Sequence, residues 1–221
     1  MKRVLLAMAA IAFAGMATGA AASGPAFYAP DNAPVTLKTI FSNLGKKYPK
    51  GVYECCSGGG VAGPDNLYGD AMRWSAMAFT PTSGGTVKRV EVGAGWTNSG
   101  TNKLAISLYS DAGGVPGSEI KRWHATSLPI YTFCCNTVSV HSAVGTPVSA
   151  GVQYWIVLRT DNTDPDTSVI WNYTTTNQVD AMLVAEYCSE DHGGAGHCGA
   201  YNNAWRPSNT VPGFALAVYG E

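Results

Sequence analysis

The sequence predicts an all-β protein, two antiparallel sheets packed as a sandwich of about nine or ten strands. Three observations carry that prediction. Apolar residues recur with a period of two, and no 3.6-residue apolar pattern of useful length occurs after residue 22. Short apolar runs are punctuated by turn formers throughout, with 26 glycines and 12 prolines in the chain. Only 13% of residues are charged while Thr, Ser, Asn and Gly are plentiful, a surface that fits an extracellular β protein better than a cytosolic enzyme.

The first residues stand apart from that pattern. Lys2-Arg3 makes a basic start, Val4 to Met16 is apolar and Ala-rich, and Ala20-Ala21-Ala22 offers a small-residue cleavage site. Residues 1–22 are therefore expected to be a cleaved signal peptide, and the protein to be secreted or periplasmic. Residues 23–36 read as a flexible lead-in rich in Pro and Ala, and 37–221 as a single β-sandwich domain. Without Lys2 and Arg3 the chain is mildly acidic and carries no Lys/Arg stripe, so a nucleic-acid partner is not expected. No second apolar run reaches membrane-spanning length, so no membrane span is expected in the mature chain.

The elements follow in order. Val35 to Phe41 makes a short first strand anchored on Leu37 and Ile40, and Ser57-Gly58-Gly59-Gly60 reads as a plain loop. Met72 to Phe79 is a strand ended by Thr80-Pro81, since proline removes a ladder donor. Val90, Val92, Ala94 and Trp96 share one phase, and Leu104, Ile106 and Leu108 another, with turn chemistry from Thr97 to Asn102 between them. These runs, with Glu119 to Ala125, read as a meander at the centre of the sandwich. Thr137 to Ser142 alternates on Val138 and Val140, and Val144 to Ala150 reads as a connector. Gln153 to Arg159 is apolar in both phases, as a central strand would be. Val169 to Tyr173, Ala181 to Ala185 and Phe214 to Glu221 complete the strands, with a Gly- and Asn-rich insertion from Cys188 to Trp205.

Six cysteines remain after the leader: Cys55, Cys56, Cys134, Cys135, Cys188 and Cys198. An even count in an exported chain argues for disulfides, with many connectivities open on paper. Adjacent cysteines bonded to each other close a strained ring. The expected arrangement therefore ties Cys55-Cys56 to Cys134-Cys135 and closes Cys188 on Cys198.

The phrases AMAFTPTSGGTVKRVEVGAGW, SLYSDAGGVPGSEI and NTVSVHSAVGTPVSAGVQYWIVL, the two cysteine pairs, and the ending GFALAVYG together resemble the bacterial extracellular choice-of-anchor R domain. The likeness runs from about Leu37 to Gly220. It implies a jelly-roll-like sandwich and supplies no catalytic residues. Members carry varied C-terminal surface-sorting signals. This chain shows no Pro-Glu-Pro box, hydrophobic tail or basic end, so free secretion or the periplasm is the expectation.

Candidate sites are few. Trp205, in the polar stretch with Tyr201, Asn202 and Asn203, is the best exposed platform for a sugar face, with Asp191 as a hydroxyl partner and Trp171 and Tyr173 next. Core packing is the competing reading for each ring. Cys188, His192, His197 and Cys198 have the residue types of a zinc site, but adjacency of the last two favours a bridge. Asp161, Asp164 and Asp166 resemble an oxygen-rich calcium loop without its glycine and distal glutamate, so no metal and no cofactor is expected. Asp111 beside Gly113-Gly114 reads as a turn former. Neither a G-x-S-x-G nor an H-E-x-x-H motif occurs. The expectation is a non-catalytic exported sandwich acting by surface recognition or adhesion, with a polysaccharide or other cell-surface polymer as partner. A structural matrix component and a glycoside hydrolase are the alternatives, the last requiring converging carboxylates in an aromatic groove.

Overall fold

In the computed structural model the described residues are 36–45, 51–55, 57–67, 71–133, 136–175, 184–189, 203–208 and 212–221. The expected signal peptide, and all of the lead-in except Thr36, lie outside them. Residues 36–221 make one compact unit. All its regular elements among the described residues are strands: β1 (Lys38–Ser42), β2 (Gly58–Ala62), β3 (Met72–Phe79), β4 (Gly85–Val92), β5 (Ala94–Trp96), β6 (Lys103–Asp111), β7 (Pro116–Thr126), β8 (Val138–Val148), β9 (Tyr154–Arg159), β10 (Ser168–Asn172), β11 (Val184–Ser189), β12 (Ala204–Ser208) and β13 (Leu216–Gly220).

That is more strands than the nine or ten expected. The additional ones lie where the sequence hides its alternation. β2 is a strand of glycines with almost no side chains to alternate, so the Gly58–Gly60 loop reading is corrected. The expected connector Val144–Ala150 is largely strand as well, because β8 runs on to Val148. It does so on the edge of its sheet, where Gly145 takes a positive φ of 78° and Pro147 sits opposite Thr86. Trp205 lies in β12 and not in a loop.

The strands form a four-stranded sheet, β1-β13-β4-β8, and a nine-stranded sheet along β5-β10-β2-β3-β9-β6-β7 with β11 and β12 branching from β3. Pairing is antiparallel within both sheets, as expected of a sandwich. Val87, Val90 and Val92 of β4, with Val138 and Val140 of β8, face Met77, Phe79, Leu104, Ile106, Leu108, Ile156 and Leu158 of the large sheet. This is the main core. β9 is central, between β3 and β6, and Trp155 to Leu158 are all fully buried. That is why both of its phases are apolar.

The meander reading fails at one residue. Val90, Val92 and Ala94 are all buried, yet β4 belongs to the small sheet and β5 to the large one. The chain changes sheets at Gly93, whose N–H donates to the Ala215 carbonyl at 3.0 Å and whose carbonyl accepts from the Asn172 amide at 2.8 Å. A Cβ there would lie 2.7 Å from the Tyr53 ring, so the corner needs glycine. Of the predicted meander, only β6 and β7 pair directly as neighbours in the chain. Their turn is closed by Asp111, which accepts from the Gly113 and Gly114 amides and also from Gln153 Nε2 at 2.7 Å and Trp155 Nε1 at 2.8 Å. Burial works against ionising that carboxyl, but these four donors outweigh it and hold it below its usual range.

Candidate functional site

The large sheet has a second face, turned away from the small sheet. Ala76, Ala78, Tyr109, Trp155, Val157 and Ala185 gather there, with Trp205 packed against them. Strand register explains how this face is laid out. Trp205 of β12 stands opposite Tyr187 of β11, and Tyr187 opposite Trp74 of β3. The Arg159 guanidinium of β9 lies 4.3 Å over the Trp74 ring, and Arg159 in turn stands opposite Ala105, which stands opposite His124. One row thus crosses six strands, roughly 20–25 Å at the usual strand spacing.

Beside this row runs one of small residues: Ala185, Ala76, Val157 and Ser107. A third holds Ala78, Trp155, Tyr109 and Glu119. The small middle row leaves room for Arg159 to reach across, donating to Tyr109 Oη at 3.1 Å and approaching Glu119 at 3.5 Å.

The aromatic end of the row is a packed group. Trp74 and Tyr187 stack with centroids 4.8 Å apart, and Trp205 tilts against both, at 6.3 and 5.6 Å. Trp74 is therefore clasped between a tyrosine and a guanidinium, and Trp205, half-buried like Trp74 and Tyr187, closes the outer end. Tyr187 Oη donates to Asn203 Oδ1 at 3.2 Å, and Asn203 itself takes a positive φ of 56°.

The opposite end is polar. Arg122 donates from Nη2 to Glu119 at 2.9 Å and from Nη1 to Asp161 at 3.0 Å, and the other Asp161 oxygen lies 2.6 Å from His124 Nε2. Lys103 pairs with Asp164 at 2.7 Å. Lys103, Arg122, His124, Arg159 and Asp161 line an open depression of about 390 Å³. Burial disfavours ionised Glu119, but Arg122 outweighs it and holds the carboxyl below the usual range. Asp164 is likewise lowered, burial being outweighed by the Lys103 ammonium and the Thr163 hydroxyl.

Each candidate from the sequence now has a place. Trp205 is on the outer face in an aromatic group, and Asn203 is exposed beside it. Tyr201, Asn202 and Asp191 lie outside the described residues, as do His192, His197 and Cys198 of the zinc alternative. Trp171 is corrected: it is fully buried, stacks on Phe214 at 4.7 Å and donates from Nε1 to the Ala215 carbonyl at 2.9 Å. Tyr173 stacks on the same Phe214 at 5.5 Å, half-buried, so it belongs to that inner column. Asp161 and Asp164 are committed to separate cations, which removes two ligands from the calcium alternative; Asp166 joins neither pair. Among the described residues no three His, Cys, Asp or Glu side chains gather as metal ligands, and no helix is long and apolar enough to cross a membrane. Sequence reasoning missed Trp74, Tyr187 and Arg159. Their signal was phase: Trp74 alternates against Met77 and Phe79, and Tyr187 shares the phase of Ala185.

Cys55 is exposed and Cys188 buried, and neither lacks a partner. Cys56, Cys134, Cys135 and Cys198 lie outside the described residues. Comparison with protein-family models and with curated proteins returns no match.

Proposed function

We propose that this is an exported, non-catalytic β-sandwich that works by surface recognition, its outer aromatic row holding a glycan or another surface polymer. The observation that carries the reading is the Trp205–Tyr187–Trp74 row, presented across three strands and leading into a polar depression. The half-buried Trp205 indole offers an apolar surface to the C–H face of a sugar, and the polar end offers N–H donors from Arg122, Arg159 and His124 and oxygen acceptors from Asp161 and Thr163 to its hydroxyls. The charges on this face occur as opposed pairs, which supports an uncharged polymer over a nucleic-acid backbone. Several weak contacts along a repetitive chain then add through multivalency.

The non-catalytic part rests on the carboxylates. Glu119 and Asp161 reach the same guanidinium from two sides. A glycosidase acid needs a carboxyl raised above its ordinary range, and Glu119 is held below it.

The jelly-roll-like, choice-of-anchor R character of the domain and its export belong to the same proposal. Supporting the topology, the chain passes repeatedly between sheets, as from β3 to β4 to β5 and from β7 to β8 to β9. Supporting the staples, Tyr53 Oη donates to the Asn136 carbonyl at 3.3 Å, which holds the segment leading into Cys55-Cys56 against the residue following Cys134-Cys135. Non-reducing peptide mapping tests the scheme: a bridge from either doublet to Cys188 contradicts it. A glycan array with wild type beside Trp205→Ala tests the ligand. Signal on neutral polymers that the variant loses supports the reading, and soluble sugar released from a bound polymer turns it into that of an enzyme.

A further inference from the structure

The nine-stranded sheet carries a second concavity, at its β5-β10-β2 end and away from the aromatic row. It is a cleft of about 720 Å³ in the size range of small-ligand sites. Gly60 and Ile170 form its floor, Tyr131 and Phe133 one wall, and Asn66 and Asn98 lie at its margins. The wall is fixed to the sheet. The Trp96 N–H donates to the Pro129 carbonyl and the Tyr131 N–H to the Trp96 carbonyl, both at 2.8 Å.

The glycines of β2 single out one position. A Cβ on Gly58 would lie 2.1 Å from the Trp171 carbonyl oxygen, and one on Gly59 2.7 Å from the Phe214 ring, so the core excludes side chains at both. Gly60 has neither constraint. A Cβ there meets nothing within 4 Å, and its φ is not positive. Neither packing nor backbone conformation asks for glycine, in a strand where glycine costs stability. The bare position is explained by something lying against the backbone there, and Phe133, 66% exposed, is the adjoining apolar surface left uncovered.

From this we infer that the cleft is a second ligand site, built for a neutral sugar ring laid flat on the Gly60 peptide. The class follows from the lining, and rests on the glycan reading above. Apolar Ile170 and aromatic Tyr131 and Phe133 suit the C–H face of a pyranose, while the exposed Asn98 amide and strand-edge backbone suit its rim of hydroxyls. Arg73 is the one charged residue among the described lining residues and already has a partner, so nothing there selects an ionised ligand.

The test uses the full chain and ligand-observed saturation-transfer NMR with soluble tetrasaccharides of β-1,4-glucose, β-1,4-xylose, β-1,4-mannose, α-1,4-glucose and N-acetylglucosamine. Wild type binds at least one. Gly60→Val fills the floor with a residue that suits a strand, and is expected to weaken that binding by about tenfold or more with an unchanged melting temperature. Phe133→Ala, at an exposed ring, weakens it too. Trp205→Ala leaves tetrasaccharide binding intact while losing retention on insoluble polymer. Unchanged binding by both Gly60→Val and Phe133→Ala overturns the inference. So does a wild type that is retained on polymer yet binds no tetrasaccharide, and that result leaves the outer row standing. Failure on polymer and tetrasaccharides alike removes both readings.

Discussion

Two aromatic groups of nearly the same geometry occupy opposite faces of one sheet. Inside, Trp171 stacks on Phe214 at 4.7 Å and 14°; outside, Trp74 stacks on Tyr187 at 4.8 Å and 24°. The rings alone do not distinguish them. What differs is their surroundings. The inner indole is fully buried with its N–H satisfied by the Ala215 carbonyl, so its only work is to hold the two sheets together. The outer group is only half-buried, ends in Trp205 and grades into charged pairs. A stack inside contributes to stability, and a stack left at the surface is available for contact.

The comparison predicts the largest change at its inner member. Trp171→Ala leaves a large cavity between the sheets and is expected to cost about 3–5 kcal/mol by urea unfolding, with polymer retention per folded molecule unchanged. Next comes Asn43, buried at the same seam. Its Nδ2 donates to the Phe214 carbonyl at 2.8 Å and its Oδ1 accepts from the Leu216 N–H at 2.7 Å, tying the end of β1 to β13. Asn43→Ala leaves those backbone groups buried without these partners and is expected to cost about 2–3 kcal/mol in the same assay. Trp205→Ala removes a half-buried ring at the edge of its group, so a smaller stability loss of about 1–2 kcal/mol is expected, a value thermal unfolding can check.

The smallest effects are electrostatic. Asp111 and Glu119 both have carboxyls lowered by folding, so each contributes stability above its unfolded-state value, near pH 4, and loses it as pH falls through the folded one. Their partners differ. Asp111 is held by neutral amides and an indole, Glu119 by the Arg122 cation, and salt screens only the second. Urea midpoints on an acid series should show a loss that Asp111→Asn flattens at any salt, and that Glu119→Gln flattens only at low salt.

How much of this was legible depended on whether side chains report the fold. Met72–Phe79 and Tyr154–Arg159 were readable because alternation, or its absence in a central strand, is written in their side chains. β2 was not, since a glycine strand has no alternation to read. The sheet change at Gly93 was invisible for the opposite reason: Val90, Val92 and Ala94 keep one buried phase although the chain has crossed to the other sheet. Trp205 read as a ring in a polar stretch, whereas Trp171 lay in a run read as a strand. Val169, two residues before Trp171 and in its phase, was the clue that placed that ring inside. Trp74 and Tyr187 joined Trp205 through long-range register between β3, β11 and β12, which local pattern does not encode.

On the proposed function, the outer face and not the inner stack holds a polymer. Retention on insoluble polysaccharide, measured for wild type, Trp205→Ala and Trp171→Ala and normalised to the folded fraction of each, tests it most directly. Retention by wild type and by folded Trp171→Ala is expected, with loss by Trp205→Ala and no soluble sugar released. Equal retention by Trp205→Ala, or loss in Trp171→Ala alone, would contradict it.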